Sequence, residues 1–184
     1  MKMILPFAAA AFALVLSTSL TVQAEDTVMV GGAAMYPSKD IIDNAVNSKD
    51  HTTLVAAVKA ADLVDTLKGA GPFTVFAPTN AAFDALPAGT VDTLLKPENK
   101  GDLTKILTYH VVAVKADAAA LMGMIKKDGG MHPIKTVAGE TLTASVENGK
   151  VVITDAKGGK AVVTQADVYQ SNGVIHVVDK VLLP

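Results

Sequence analysis

The sequence predicts an α+β domain in which helices occupy the first half of the chain and strands the second half. Apolar residues between about 38 and 127 recur at helical spacing, in short runs that end near Gly or Pro. From residue 141 onwards apolar residues alternate at a spacing of two, and the pairs Asn148-Gly149 and Gly158-Gly159 between the runs predict hairpin turns. Helices followed by strands, rather than alternating with them, are typical of segregated α+β folds.

The composition excludes several kinds of site. The 184 residues include no Cys, so disulfides and thiolate metal ligands are excluded and core packing must supply the stability. All 16 basic residues are Lys, and the formal net charge is −2. Phosphate and base recognition relies on the planar fork of Arg. Nucleic acid is therefore not an expected partner.

The N-terminus has the pattern of a secretory signal peptide. Lys2 precedes an apolar run over residues 4–20, and small or modest residues lead up to a cleavage site between Ala24 and Glu25. An uncut membrane anchor is the competing interpretation of the same run. Cleavage would remove residues 1–24 and release the chain to the periplasm or the exterior without a stable membrane insertion.

Two helices are expected after a lead-in. Residues 25–37 contain two Gly and a Pro, and they predict a flexible segment. Ser38 is expected to cap a short helix over 39–46. A longer helix over 52–68 carries an apolar stripe and is expected to end at Gly69 in a left-handed conformation.

The organising stretch is a strand, a corner and a helix. Residues 73–77 are apolar, aromatic and β-branched, and they predict a buried strand in which Phe76 points inward. Pro78 ends it, because Pro has no N–H for the ladder. Thr79 or the Asn after it then caps a helix over 80–86 that carries Phe83 into the core.

The remaining predicted elements are helices over 90–95, 102–107 and 116–127 and strands over 109–114, 141–147, 151–155, 161–168 and 174–182.

Three ordered stretches carry a resemblance to a known family. Residues 73–83 resemble the first signature box of the fasciclin domain, residues 109–112 (Tyr-His-Val-Val) its central Tyr-His box, and residues 172–184 its closing box. The resemblance implies a β-rich wedge or sandwich with a cluster of short helices, formed by one domain over 38–184. It also implies non-catalytic cell adhesion, by binding to a surface or matrix protein or to polysaccharide.

Four residues are candidate adhesion contacts through this resemblance. Tyr109 and His110 match the Tyr-His box, which is linked to adhesion in animal members. Asp167 and Val168 match an Asp-Ile pair that the family uses as an integrin contact, although the two residues before them depart from the usual acid and proline. A solvated or capping carboxylate at a strand end is the alternative for Asp167.

The sequence offers no recognisable catalytic constellation. His51, His110, His132 and His176 show no metal-ligand spacing, and no Gly-x-Ser-x-Gly elbow or phosphate loop occurs. His110 and His176 are expected to be core histidines whose ring nitrogens bond to backbone. We therefore expect neither enzyme activity, nor a cofactor, nor a metal.

Two other functions stay open. One is a small-molecule-binding or hydrolytic periplasmic protein with an apolar pocket and a site near Tyr109 and His110. A pocket beside a histidine with a strongly shifted pKa would favour it, and a filled core around both rings would favour adhesion. The other is a structural envelope protein without a specific ligand.

Overall fold

The structure is a computed structural model and describes residues 26–184. The predicted signal peptide and its cleavage site lie outside the described residues. The strands are β1 (Val28–Val30), β2 (Ala33–Met35), β3 (Phe73–Pro78), β4 (Val111–Val112), β5 (Met131–Lys135), β6 (Thr141–Glu147), β7 (Lys150–Thr154), β8 (Lys160–Gln170) and β9 (Gly173–Val178). The α-helices are α1 (Ile41–Ala45), α2 (Thr52–Ala60), α3 (Val64–Lys68), α4 (Asn80–Asp84), α5 (Thr90–Leu94), α6 (Lys100–Tyr109) and α7 (Ala118–Lys127). Single 3₁₀ turns precede α2 and α6.

A seven-stranded sheet in the order β4-β3-β9-β8-β7-β6-β5 forms the frame of the domain. Strands β3 and β9 run parallel, with Phe76 opposite His176, and the other neighbours are antiparallel. The two ends of the order approach each other, because the Val137 N–H, just after β5, donates to the Val111 carbonyl of β4 at 2.8 Å. The sheet is therefore nearly closed, and with the short helices it confirms the predicted α+β class.

The predicted strand, corner and helix are confirmed. β3 ends at Pro78, and the Thr79 hydroxyl accepts from the Ala82 N–H at the start of α4. Phe76 is fully buried and Phe83 is 5% exposed. Pro78 and a capping Thr side by side are sufficient local signals for this geometry.

The predicted hairpin turn at Asn148-Gly149 is also confirmed. It joins β6 to β7, and both residues have positive φ, at 52° and 78°. Such angles are what a two-residue hairpin of right-handed twist requires.

Three details of the first helices differ from the prediction. Helix α1 begins at Ile41 and is capped by Asp40, not Ser38, because the Asp40 carboxylate accepts from the Asp43 N–H at 2.8 Å.

The expected helix over 52–68 is two helices, since Asp62 takes a left-handed φ of 55° between α2 and α3. The apolar stripe continues across this break, which is why periodicity did not reveal it. Gly69 ends α3 in an extended conformation, not a left-handed one.

The prediction of a strand over 109–114 is wrong for its first two and its last two residues. Helix α6 continues through Tyr109, and His110 is its C-cap, so the strand is only Val111–Val112. The ring of His110 bonds the Ile106 carbonyl four residues back, which holds it to the helix. Two further strands differ from the prediction. Strand β5 was not predicted at all, and β9 ends at Val178, short of residue 182.

The N-terminal hairpin packs on the domain. Gly31 and Gly32 form its turn with φ of 57° and 76°, where residues with a Cβ are disfavoured. Val30 and Met35 are buried in the same core cluster as the first helices. The lead-in expected from the sequence therefore contains a folded hairpin, and core packing begins before residue 38.

The buried apolar residues form two clusters. One lies among the hairpin, helices α1 to α3 and α6, and one side of the central strands. The other lies among Phe76, Tyr109, α7 and strands β5 to β8. No helix within residues 26–184 is long and apolar enough to cross a membrane.

Candidate functional site

Tyr109, the first predicted contact residue, is fully buried at the end of α6. Its hydroxyl oxygen accepts a hydrogen bond from the Ala156 N–H at 3.0 Å. Burial raises the pKa of the phenol, so the group is neutral at physiological pH. Tyr109 therefore ties α6 to the loop between β7 and β8.

His110 is buried beside it, and both ring nitrogens have backbone partners. Nδ1 bonds the Ile106 carbonyl at 2.8 Å, and Nε2 accepts from the Leu182 N–H at 2.9 Å. These partners require the neutral tautomer that is protonated on Nδ1. Removal from water lowers the pKa of His110 to about 4, against smaller raising effects of the Ile106 carbonyl and Asp155. His110 thus connects α6 to the C-terminal segment.

His176 is the second core histidine, as predicted. Its Nε2 bonds the Ala116 carbonyl at 2.7 Å, and its Nδ1 accepts from the Asp167 N–H at 3.4 Å. The ring stacks on Phe76 with centroids 5.8 Å apart. Burial lowers its pKa. Together with His110, this confirms the interpretation of these two residues as core histidines bonded to backbone.

Asp167 and Val168 lie at a distorted part of β8, where the pairing register with β9 shifts. Val168 is buried, whereas Asp167 is half-buried with a left-handed φ of 58°. The Asp167 carboxylate accepts from the Ala118 N–H at 2.7 Å and so satisfies a free donor at the start of α7. Asp117 caps the same helix through the Ala120 N–H.

The structure therefore separates the four candidate contacts by exposure. Tyr109, His110 and Val168 have internal side chains, and only Asp167 reaches the surface. His110 and Val168 line the same internal cavity, whereas Tyr109 belongs to the other core cluster. A contact role for any of the four stays a prediction.

An exposed group of side chains surrounds Asp167, and we call it the Tyr169 surface. It consists of Lys115, Asp117, Asp167 and Tyr169. Tyr169 is 39% exposed, a large value for an aromatic side chain. The Lys115 ammonium lies 5.3 Å from the centre of the Tyr169 ring. Partial burial and the carboxylates of Asp167 and Asp117 raise the pKa of the Tyr169 phenol.

Sequence reasoning missed this surface because only the fold brings its parts together. Lys115 lies before α7 and Tyr169 near the end of β8, more than 50 residues apart. Asp167 was the one signal that pointed to the region.

A second feature that the sequence did not reveal is a buried polar pair, Ser48 and His51. Both side chains are at most 3% exposed, and Ser48 Oγ lies 2.9 Å from His51 Nδ1. His51 also lines the internal cavity. Within residues 26–184, no three His, Asp or Glu side chains form a group that could hold a metal ion.

Comparison with known proteins identifies relatives of the chain. Residues 49–184 match the family model of the fasciclin domain. The chain is 52% identical over 160 residues to Protein sll1483 of Synechocystis sp., covering 87% of this chain and 82% of that protein. It is 36% identical over 160 residues to the cell surface glycolipoprotein MPB83 of Mycobacterium bovis, covering 84% and 64%.

The fold of the chain is similar to that of a solved structure. It is a FAS1 domain pair from the insect cell adhesion molecule fasciclin I, with a TM-score of 0.71 over 81% of this chain and 52% of that chain. The sequence identity is 20%, so this similarity concerns the fold alone.

Proposed function

The chain belongs to the fasciclin domain family, and from this premise we propose that it is an exported, non-catalytic adhesion module that binds a surface protein or polysaccharide through the Tyr169 surface. The family is generally non-catalytic and is associated with adhesion and cell-surface proteins. A module of this kind binds weakly through one interface of about 1,000 Å² and gains avidity when several copies act together.

The exposed Tyr169 ring under the Lys115 ammonium and beside the carboxylates of Asp117 and Asp167 is the observation that carries the proposal. Tyr and Trp are enriched where proteins bind, because a rigid aromatic ring covers a large area at a small cost in conformational entropy. The neighbouring charges are of both signs, from the Lys115 ammonium and the carboxylates of Asp167 and Asp117. This combination suits a partner that presents flat apolar area together with polar groups.

The base of the surface is fixed by the buried residues beneath it. The Asp167 backbone bonds His176, and its carboxylate holds the first N–H of α7. A contact residue held in this way loses little freedom on binding, which favours affinity. In this proposal Val168 acts by positioning its exposed neighbours, and Tyr109 and His110 stabilise the domain that presents them.

The test is retention of the mature chain on whole cells and on extracted surface protein and polysaccharide fractions. Tyr169→Ala is expected to weaken saturable retention at least about tenfold, the loss typical of a central aromatic contact. Tyr36→Ala is the matched control, because Tyr36 is also 39% exposed and lies under Lys39 at 4.9 Å. Equal retention of the parent and Tyr169→Ala would refute the assignment of the surface.

The Asp167→Asn variant tests the negative charge of the Asp167 side chain without changing its role in the fold. Asn keeps the side-chain oxygen that accepts from Ala118, and it tolerates a left-handed backbone. Stability should change little, while retention should fall if the carboxylate contacts a cationic group of the partner. Unchanged retention would remove the Asp167 charge from the proposed contact.

The alternative of a small-molecule or hydrolytic site near Tyr109 and His110 has weaker support. His110 does line an apolar cavity, and its pKa is strongly lowered. Its two ring nitrogens and the Tyr109 hydroxyl are all bonded to backbone groups, however. Neither side chain has a polar atom free to activate a nucleophile or orient a substrate.

A further inference from the structure

The seven-stranded sheet ends in two edge strands whose outer sides face each other. In the sheet order, β4 has only β3 as a neighbour and β5 has only β6. The two edges approach at the hydrogen bond from the Val137 N–H to the Val111 carbonyl, but β4 and β5 themselves are not paired. Residues 112–116 and 132–136 line an opening between them, which we call the edge slot.

Strand β5 presents free backbone groups to the edge slot. The N–H of Val137 points towards β4, and that of Thr136 points to the β6 side. Because backbone groups of successive residues in a strand point to opposite edges, those of Met131, Pro133 and Lys135 point away from β6. Pro133, which has no N–H, thus occupies a position where no ladder bond is required. Within the described residues, the N–H groups of Met131 and Lys135 have no backbone acceptor.

The opposite edge of the slot has free groups as well. The His110 carbonyl accepts from the N–H of Phe76 in β3, whereas the next carbonyl, that of Val111, points to the other side. By the same alternation, the exposed residue Ala113 directs its N–H and C=O into the slot. Unpaired edges of this kind are templates for a further strand.

The wall between the two edges is largely apolar. Leu121 and Met124 of α7 contribute to it, and Val114 on the β4 side is 53% exposed, a large value for Val. The slot has a volume of about 410 Å³, which lies within the range of about 300–1,000 Å³ typical of binding clefts. One face of an added strand would therefore contact apolar side chains.

The charge beside the free edge indicates the chemistry of that strand. Lys135 is the one Lys, Asp or Glu that lines the slot, and its ammonium forms no ion pair within residues 26–184. An acidic side chain next to it on the same face would be favourable. A second copy of the chain would instead bring another Lys135 and another Pro133 to the β5 edge, which disfavours self-pairing.

We propose that the edge slot binds an extended segment of a partner protein by strand addition, with apolar side chains towards α7 and acidic side chains beside Lys135. The backbone of the segment bonds the free groups of Lys135 and Ala113, and alternate side chains supply the specificity. None of the four residues of the Tyr169 surface lines the slot, so the two sites can be tested separately.

The test is an NMR titration of the mature chain with the blocked peptide Val-Glu-Val-Glu-Val. We expect saturable shifts of the Lys135 and Ala113 amide signals and slower hydrogen exchange of both, because both N–H groups gain an acceptor. The amide of Lys150, an exposed strand residue outside the slot, is the control and should change in neither measurement. Absence of a saturable response at Lys135 and Ala113 would overturn the site.

A peptide with the same side chains and an N-methylated backbone separates strand addition from apolar contact. It has no backbone N–H to donate, so it should give no saturable response. Equal binding of the two peptides would overturn strand addition. Shifts of the Lys135 and Ala113 amides that grow with protein concentration, without any peptide, would show that a second copy occupies the slot and would contradict the proposed partner.

The Lys135→Glu variant tests the charge preference. It should bind Val-Glu-Val-Glu-Val at least about twofold more weakly than the parent does and should prefer Val-Lys-Val-Lys-Val. Lys150→Glu is the matched control, because it reverses the charge of an exposed strand Lys outside the slot, and its preference should equal that of the parent. An unchanged preference in Lys135→Glu would contradict the acidic character of the partner segment.

Discussion

Acid should destabilise the domain through its buried histidines, and His110 allows the size of the effect to be worked out. Its pKa falls from 6.5 in the unfolded chain to about 4 in the folded domain. Between these values the unfolded state binds the proton and the folded state does not, so stability is present at higher pH and is lost as the pH falls through this window. For these two pKa values, the loss from His110 alone is about 2 kcal/mol at about pH 5.

The pKa values of His51 and His176 are also lowered by burial, so their contributions have the same sign. A total loss of more than about 2 kcal/mol is a large part of the stability of an ordinary domain, which is about 5–15 kcal/mol. Acid unfolding should consequently begin at a pH where most carboxylates are still ionised.

The assay is urea unfolding at a series of pH values from about 8 to about 4.5, for the parent and for His110→Gln. Gln has a donor and an acceptor for the Ile106 carbonyl and the Leu182 N–H, but it does not titrate. The variant should be less stable at neutral pH and should lose less stability on acidification, with a difference of about 2 kcal/mol at about pH 5. His132→Gln controls for the loss of a histidine outside the core. Parallel pH profiles for His110→Gln and the parent would refute the reasoning.

The other predictions concern packing and are checked by thermal or urea unfolding. Phe76→Ala removes a fully buried ring stacked on His176 and should cost about 3–5 kcal/mol, and a melting temperature that barely moves would contradict the buried-strand assignment. Gly173→Ala should prevent normal folding, because a Cβ would lie 2.1 Å from the Phe73 carbonyl oxygen, and a stable variant would show that β3 and β9 are not so close. Gly123→Ala is its matched control: it lies within α7 with no atom near the added methyl group, and it should stabilise the domain by about 0.5–1 kcal/mol.

Local signals predicted the parts of the fold that depend on few residues. Pro78 after an apolar run and Thr79 before α4 determine the strand, the corner and the cap without distant contacts. Asn148-Gly149 likewise determines a hairpin turn. In each case one side chain or one backbone preference is enough to determine the local conformation, so it can be predicted from neighbouring residues alone.

The errors fall where the conformation depends on tertiary contacts. Tyr109 and His110 are followed by two Val, a composition typical of strands, but α6 continues through Tyr109 because Leu103, Leu107 and the Tyr ring all pack into the core. Strand β5 contains Pro133, which normally argues against a strand, and it is tolerated at an edge of the sheet order.

The candidate site was predictable only in part for the same reason. Burial of His110 and His176 follows from their apolar neighbours in sequence. The pairing of Lys115 with Tyr169 requires the register of β8 and the position of α7, neither of which is local.

These placements show that the signature stretches of the resemblance lie mainly in the core of the domain. The signature stretches contain Phe76, Tyr109, His110 and His176, and each of these side chains is buried and bonded or packed inside the domain. Stretches that fix a core identify an architecture, whereas the recognition that we propose depends on the exposed side chains of Lys115 and Tyr169, which lie outside those boxes. Different partners can therefore be expected for domains that share all three boxes, and the partner of this chain must be identified from its own surface.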